Sequence, residues 1–272
     1  MPTIYMIRSG DFGTDFGAKL FLALAALGLV TWDLARQRRR DYLWVLLAGT
    51  WTWTLVEAAM QAQGTRVLVE ASLFGAPLPR WLHLPLQGMA EGGAVAILGL
   101  FLGDRLLAKA TRWRALAGLA ALSVAVILST LGQSGTEPAS LAANPASRRD
   151  MFTPQALGFL GAMVTLSILA WWRRPGHRPR LAAMTAVMLI VATAWTLAEV
   201  AVGTRGIQVP GAAPGTYSPA PGGIAAAALT YDVLVEIVLA YVPFFAVPAM
   251  LGWARAEPLP MATAAGSARQ AG

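Results

Sequence analysis

Seven apolar stretches, each long enough to cross a bilayer as a helix, dominate this chain of 272 residues. About 20 consecutive apolar residues in a helix span a hydrocarbon core that is ~30 Å thick. Hydrophobic residues make up 56% of the chain and charged residues only 13%, a balance that excludes an ordinary soluble domain. We therefore predict an all-α fold, a polytopic membrane bundle of seven transmembrane helices. The predicted spans cover residues 18–35, 42–60, 83–103, 113–132, 155–172, 182–202 and 226–252.

The distribution of basic residues predicts how this bundle lies in the membrane. The loops at 36–40, 105–114 and 173–180 each carry four Lys or Arg residues. Short loops rich in Lys and Arg stay on the cytoplasmic side. We therefore predict a bacterial-type inner-membrane protein whose amino terminus is outside and whose carboxyl terminus is cytoplasmic. The net charge of +7 then reflects topology and attraction to the lipid bilayer, and no nucleic-acid partner is predicted.

One phrase occurs twice in the chain, as "WTLVE" at 53–57 and as "WTLAE" at 195–199. Each copy follows a basic turn and precedes a Gly-Thr-Arg sequence. We interpret the chain as a 3+1+3 internal repeat. An odd number of spans separates equivalent helices, so the copies run parallel and their pseudo-axis lies along the membrane normal.

The repeat sets the predicted domain organisation. A single transmembrane domain covers 1–255, with repeat one at about 18–103, a linker helix at 113–132 and repeat two at about 155–252. A disordered cytoplasmic tail covers 256–272. The long Gly- and Pro-containing loops on the outside, at 61–82, 133–154 and 203–225, are expected to be functional or disordered.

Five carboxylates of the predicted spans lie well away from the basic loops. At a rise of 1.5 Å per residue, all five lie in the outer half of the membrane. An ionisable side chain at such depth costs about 2.5–3.5 kcal/mol on insertion scales and normally faces a bundle interior or a wet cavity. Two tryptophans lie deeper than an interfacial belt residue should. The sequence therefore predicts one binding site formed by Trp53, Glu57, Glu91, Trp195, Glu199, Asp232 and Glu236.

The same carboxylates have a purely structural interpretation. Glu57 and Glu199 could lie near the outer boundary, each paired with the arginine of its own Gly-Thr-Arg sequence, Arg66 or Arg205. The remaining carboxylates would then make hydrogen bonds inside the bundle.

Several chemistries are excluded by the composition. The chain has no cysteine, which excludes iron–sulfur clusters and thiolate catalysis, and only two histidines, His83 and His177, which argues against haem. Its two lysines, Lys19 and Lys109, lie near span ends, so no retinal Schiff base is expected. The carboxylates could hold a hard cation, but their spacing selects none, and no metal site is predicted. No hydrolase, P-loop or dinucleotide motif is present, so we predict no catalytic residues and a protein that is not an enzyme on its own.

Two segments resemble a known family. "AWTLAEVAV", preceded at one helix length by "WWRR", and "RRRDYLWVLLAGTWTWTLVEAAM" are similar to the membrane-anchor domain of pyrroloquinoline-quinone-dependent glucose dehydrogenases, here duplicated. The resemblance implies electron transfer to ubiquinone, with Trp53, Glu57, Trp195 and Glu199 on a quinone-facing surface. The family's Gly-Leu-Asp continuation is missing after Glu199, and this chain contains no propeller domain.

Two functions follow as hypotheses. The first is a non-catalytic membrane subunit that binds a lipophilic partner, with quinone as the candidate, in a Trp- and Glu-lined cleft of the outer leaflet. This subunit would dock a periplasmic redox protein or other membrane subunits. The second is a proton- or cation-coupled transporter of a small solute, with its carboxylates between the two repeats.

Overall fold

The computed structural model describes residues 3–8, 14–68, 70–133, 147–212 and 216–258. The prediction of a disordered tail at 256–272 falls almost entirely outside these residues. So does most of the predicted loop at 133–154.

The prediction of seven helices is confirmed. Of the residues that the structure describes, 72% are helical, and seven helices in that part of the chain are long and apolar enough to cross a membrane, which makes this a multi-pass membrane protein. Their bounds are α1 Gly17–Gln37, α2 Asp41–Ala62, α3 Arg80–Leu107, α4 Arg112–Gly132, α5 Pro154–Arg173, α6 Pro175–Ala201 and α7 Gly222–Met250.

The seven helices divide into two central and five peripheral ones. The most apolar windows of α3 and α7 are 67% and 61% buried, whereas those of the other five are 17–39% buried. Large apolar side chains such as Phe21, Leu55 and Leu128 are more than half exposed on the peripheral helices. Such a surface suits lipid and would be costly in water. The central pair therefore forms the core around which the other five helices stand.

Glycines allow α2 and α3 to pack with their backbones in contact. A Cβ atom on Gly92 would lie 2.3 Å from the carbonyl oxygen of Gly49, and one on Gly88 would lie 2.0 Å from the hydroxyl of Thr54. Small residues at helix interfaces permit this close approach in membranes, where packing rather than water drives association. The contact fixes the height of α3 against α2.

In the part of the chain that the structure describes, three helices contain π-helical segments, at Asp33–Gln37 in α1, Gly88–Ala94 in α3 and Asp232–Leu239 in α7. Such segments insert an extra residue into a helical turn and are frequently found at functional sites. Here the segments of α3 and α7 carry three of the predicted site residues, Glu91, Asp232 and Glu236.

The all-α prediction misses a β-sheet that closes one end of the bundle. Its five antiparallel strands are β1 Ile4–Arg8, β2 Arg66–Leu68, β5 Ser147–Asp150, β6 Arg205–Gln208 and β7 Tyr217–Pro219, in the order β2-β5-β1-β6-β7. A separate hairpin pairs β3 Ser72–Leu73 with β4 Ala76–Pro77. The strands are short, and in the sheet all pairs except β6 with β7 join segments far apart in the sequence, so no local alternation reveals them.

Buried ion pairs join the helices at the opposite end. Arg180 is fully buried and donates two hydrogen bonds of 2.7 Å to Asp104, one of 2.7 Å to Asp41 and one of 2.6 Å to the carbonyl of Arg255. Arg39 also donates to Asp41, at 2.8 Å. This network ties α2, α3 and α6 to the segment that follows α7.

The close approach of α2 and α3 can be tested with one methyl group. We expect Gly92→Ala to lower the free energy of unfolding by about 1–3 kcal/mol, because the added carbon has no space against Gly49. Gly28→Ala is the matched control, since a Cβ there meets nothing within 4 Å. Thermal unfolding of the purified protein in detergent measures both. A melting temperature for Gly92→Ala at or above that of Gly28→Ala would contradict the packing.

Candidate functional site

All seven predicted site residues line one cavity between the bundle and the sheet. The cavity measures about 50 Å³. Helices α2, α3, α6 and α7 contribute the predicted residues to its wall, and the sheet contributes side chains from above, among them Arg66, Arg149 and Arg205. The two carboxylates farthest apart in sequence, Glu57 and Glu236, thus share a wall. We refer to this space as the charged cavity.

On α2, the Gly-Thr-Arg sequence turns the chain back over the helix end. Gly64 has a positive φ of 71°, a conformation that glycine adopts without strain and that commonly ends helices. The hydroxyl of Thr65 donates to the carbonyl of Met60 at 3.1 Å, and the next residue begins β2. Arg66 consequently lies above Glu57, with 2.8 Å between Nε and Oε1.

The second Gly-Thr-Arg sequence does the same at the end of α6. Gly203 has φ 79° and the hydroxyl of Thr204 donates to the carbonyl of Glu199 at 2.9 Å. Arg205 then begins β6 and is held by two carboxylates, that of Glu199 at 3.1 Å and that of Asp232 at 2.5 Å. The pairing expected under the structural interpretation is therefore present in both copies, and in the second copy it also includes α7.

The two remaining carboxylates are paired from different elements. Glu236 forms a salt bridge with Arg149 of β5. Glu91 lies 3.2 Å from the ammonium group of Lys19 on α1 and accepts a 2.7 Å hydrogen bond from Gln87. Five carboxylates thus face four basic side chains, which offsets most of the cost of burying them.

The arginines of the sheet stay charged in this environment. Burial acts to lower the pKa of Arg149, but the facing carboxylate of Glu236 outweighs it and the pKa is raised. Burial also acts to lower the pKa of Arg205. The carboxylates of Glu199 and Asp232 outweigh this effect, so the pKa of Arg205 is raised as well. Guanidinium groups therefore supply permanent positive charge to the cavity over the whole physiological pH range.

Two carboxylate oxygens of the cavity lining remain without a hydrogen-bond partner among the described residues, Glu57 Oε2 and Asp232 Oδ1. Both residues are 1% exposed. A water molecule needs about 10–15 Å³ of such a space and two or more polar partners. A volume of about 50 Å³ suits a few waters and is too small for an organic ring.

Space for a larger molecule lies beside the charged cavity. A groove of about 540 Å³ opens between α1 and α4, with α3 and α6 as its floor. Its walls are mainly apolar and include Leu22, Val95 and Leu122. Glu91 and Trp195 line both the groove and the charged cavity. We refer to this space as the lateral groove.

The structure thus separates the predicted site residues into groups. Glu91 and Trp195 face the groove as well as the cavity. Trp53 is buried against Tyr241, with 5.3 Å between ring centroids.

Sequence reasoning missed Arg149 and the role of Lys19. Arg149 belongs to "SRRD", a short strand that lies within the loop predicted at 133–154 and shows no periodicity in its sequence. Only the need to neutralise Glu236 could have indicated Arg149.

No family model matches this chain, and no match was found among curated proteins or solved structures. Among the described residues, no group of three or more His, Cys, Asp or Glu is arranged to hold a metal ion. The geometry of the cavity and the groove therefore provides the basis for a functional assignment.

Removal of the shared arginine tests the electrostatic balance of the cavity. We expect Arg205→Met to lower the free energy of unfolding by about 3–5 kcal/mol, because it leaves Glu199 and Asp232 buried without their counter-ion. The double variant Arg205→Met/Asp232→Asn should recover part of this loss. Arg173→Met, on an exposed side chain at the opposite end, is the control. Equal melting temperatures of Arg205→Met and the control in detergent would refute the role of Arg205.

Proposed function

We propose that this protein is a non-catalytic membrane subunit that binds a lipophilic molecule with a polar head group in the lateral groove. A quinone such as ubiquinone is the candidate ligand. One observation carries the proposal: an apolar groove of about 540 Å³ between membrane helices ends at the paired charges of Lys19 and Glu91. Small-molecule sites typically have volumes of about 300–1,000 Å³, apolar walls and a few convergent polar groups.

The chemistry of the groove suits such a ligand along its whole length. An apolar tail would lie against Leu22, Val95 and Leu122, and would be continuous with lipid between α1 and α4. The head group would meet the ammonium of Lys19, which donates hydrogen bonds, and the indole of Trp195. Waters in the charged cavity would connect the head group to the carboxylates behind it. Trp195 also belongs to the residues that the glucose-dehydrogenase resemblance relates to a quinone-facing surface.

We further propose that the bundle is a parallel duplication. The strand that follows α2 pairs with the strand that precedes α5, and the strand that follows α6 pairs with the strand that precedes α1. The π-helical segments of α3 and α7 occupy equivalent spans. This reciprocal arrangement supports a pseudo-two-fold axis that passes between β1 and β5 and through the charged cavity.

The orientation, with the sheet outside, is likewise a proposal. The short basic loops all lie at the end opposite the sheet, which favours a cytoplasmic position for that end. The sheet would then face the periplasm of a bacterial cell, where a soluble redox protein could dock beside the charged cavity.

A second candidate function is transport of a small solute coupled to protons or cations. The π-helical segments that carry Glu91, Asp232 and Glu236 favour it, because such segments are frequent at functional sites and here they place carboxylates inside the bundle. Against it, each of the five carboxylates already lies beside a basic side chain, which a transported cation would have to displace. Lipophile binding requires no such exchange and is the assignment we favour.

Ligand binding in the groove can be tested by filling it. Ala125 is exposed on α4 and lines the groove, whereas its neighbour Val124 is 54% exposed and points elsewhere. We expect Ala125→Phe to weaken binding of a decyl-substituted benzoquinone at least tenfold, and Val124→Phe to change it less than twofold. Quenching of tryptophan fluorescence and extraction of bound quinone from the purified protein measure this. The assignment fails if no quinone copurifies and none quenches.

The orientation can be tested by labelling, since the chain contains no cysteine. Ala76, on the hairpin of the sheet end, and Lys109, at the opposite end, are both exposed. In intact bacterial spheroplasts we expect an impermeant maleimide to label Ala76→Cys at once and Lys109→Cys only after permeabilisation. The reverse pattern would invert the topology.

A further inference from the structure

A second space, smaller than the lateral groove, adjoins the charged cavity on the side away from that groove. It measures about 120 Å³ and lies between α2, α5 and the start of α7. Its apolar wall includes Val56, Phe159 and Leu160. Trp53, Arg149 and Glu236 line both this space and the charged cavity. We refer to it as the side crevice.

Three polar atoms of the crevice lining have no hydrogen-bond partner among the described residues. They are the hydroxyl of Tyr231, Nε of Arg149 and Oδ1 of Asp150, and all three are buried. The Asp150 oxygen still faces a cation, Nε of Arg148 at 3.7 Å. A buried polar group without a partner costs about 1–3 kcal/mol, so such groups in native proteins generally meet water or a ligand. Two of the three, the Tyr231 hydroxyl and Arg149 Nε, are hydrogen-bond donors. An oxygen atom of an occupant could accept a hydrogen bond from each.

The side crevice and the lateral groove are lined by corresponding residues. The groove combines Trp195 of α6 with Glu91 of α3, paired to Lys19. The crevice combines Trp53 of α2 with Glu236 of α7, paired to Arg149. In both places a tryptophan and an ion-paired glutamate form the wall shared with the charged cavity.

The charges around the crevice balance. Arg149 is paired with Glu236, and Arg148 lies 3.7 Å from Asp150. An occupant with a net charge would disturb this balance, whereas a neutral one with an oxygen acceptor would satisfy the two donors. The small side chains of Ala59 and Ala156 leave a gap between α2 and α5 through which an apolar tail could reach lipid.

We propose that the side crevice is a second binding site, which holds the neutral carbonyl head of a lipophilic molecule against Tyr231 and Arg149 while the tail lies between α2 and α5. The two sites would approach the charged cavity from opposite sides of the bundle. The proposal rests on the proposed function for its class of ligand. A ring carbonyl of a quinone and an ester carbonyl of a glyceride share this head-group chemistry.

The test counts binding sites on the full-length protein in detergent. A decyl-substituted benzoquinone and a short-chain diacylglycerol are titrated separately by equilibrium dialysis. We expect two sites for at least one of the probes, and the tighter probe identifies which carbonyl the protein prefers. Ala156→Phe should remove one site and Ala125→Phe the other. Leu157→Phe, exposed and adjacent to Ala156 but absent from the crevice wall, should leave both.

Tyr231→Phe separates the ligand contact from folding. The ring keeps its contact with Phe152, 4.6 Å between centroids, and only the unpartnered hydroxyl is lost. We expect the crevice site to bind about three- to tenfold more weakly, as loss of one hydrogen bond implies, with the groove site changed less than twofold and the melting temperature retained.

The outcomes distinguish this inference from the proposed function. A single site that Ala125→Phe removes, and that Ala156→Phe and Tyr231→Phe leave unchanged, would overturn the crevice and leave the groove assignment standing. A single site with the opposite dependence would support the crevice and reject the groove. Absence of binding by both probes would overturn both proposals.

Discussion

Charge buried in an apolar bundle is the constraint on which the rest of this structure depends. An ion moved from water into a protein interior loses several kcal/mol of solvation, which only close counter-ions and hydrogen bonds can offset. Five carboxylates lie within the sheet-end half of the helices, and three of their four basic partners, Arg66, Arg149 and Arg205, come from strands. The sheet therefore completes the interior of the bundle in addition to covering its end.

Much of this arrangement could be predicted from the sequence, for physical reasons. Bilayer thickness sets the length of a span, so seven helices were evident, and the high cost of burying Glu91 or Glu236 indicated a shared interior. The sheet could not be predicted, because its strands have only three to five residues and the central strand β1 pairs with partners more than a hundred positions away, which leaves no local pattern. Arg149 remained hidden for the same reason: its partner is set by sheet register.

The two ends of the bundle solve the same electrostatic problem with different elements. At the sheet end, arginines reach down from strands. At the opposite end, Arg180 lies within α6 itself and joins Asp41, Asp104 and the chain beyond α7. Between them, the glycine contact of α2 with α3 keeps Glu57 and Glu91 at fixed heights. The cavity and its flanking spaces are thus held at both ends and are set by rigid packing, which suits a preformed binding site.

The place of β1 in the sheet has a consequence for biosynthesis. This strand, Ile4–Arg8, precedes all seven helices in the sequence, yet it lies in the middle of the sheet and pairs with β5 and β6. Four membrane helices must be translated before the first of these neighbours exists. At ribosomal rates of about 5–20 residues per second, β1 therefore waits many seconds with both edges unpaired, and the sheet that completes the charged interior can close only late in synthesis.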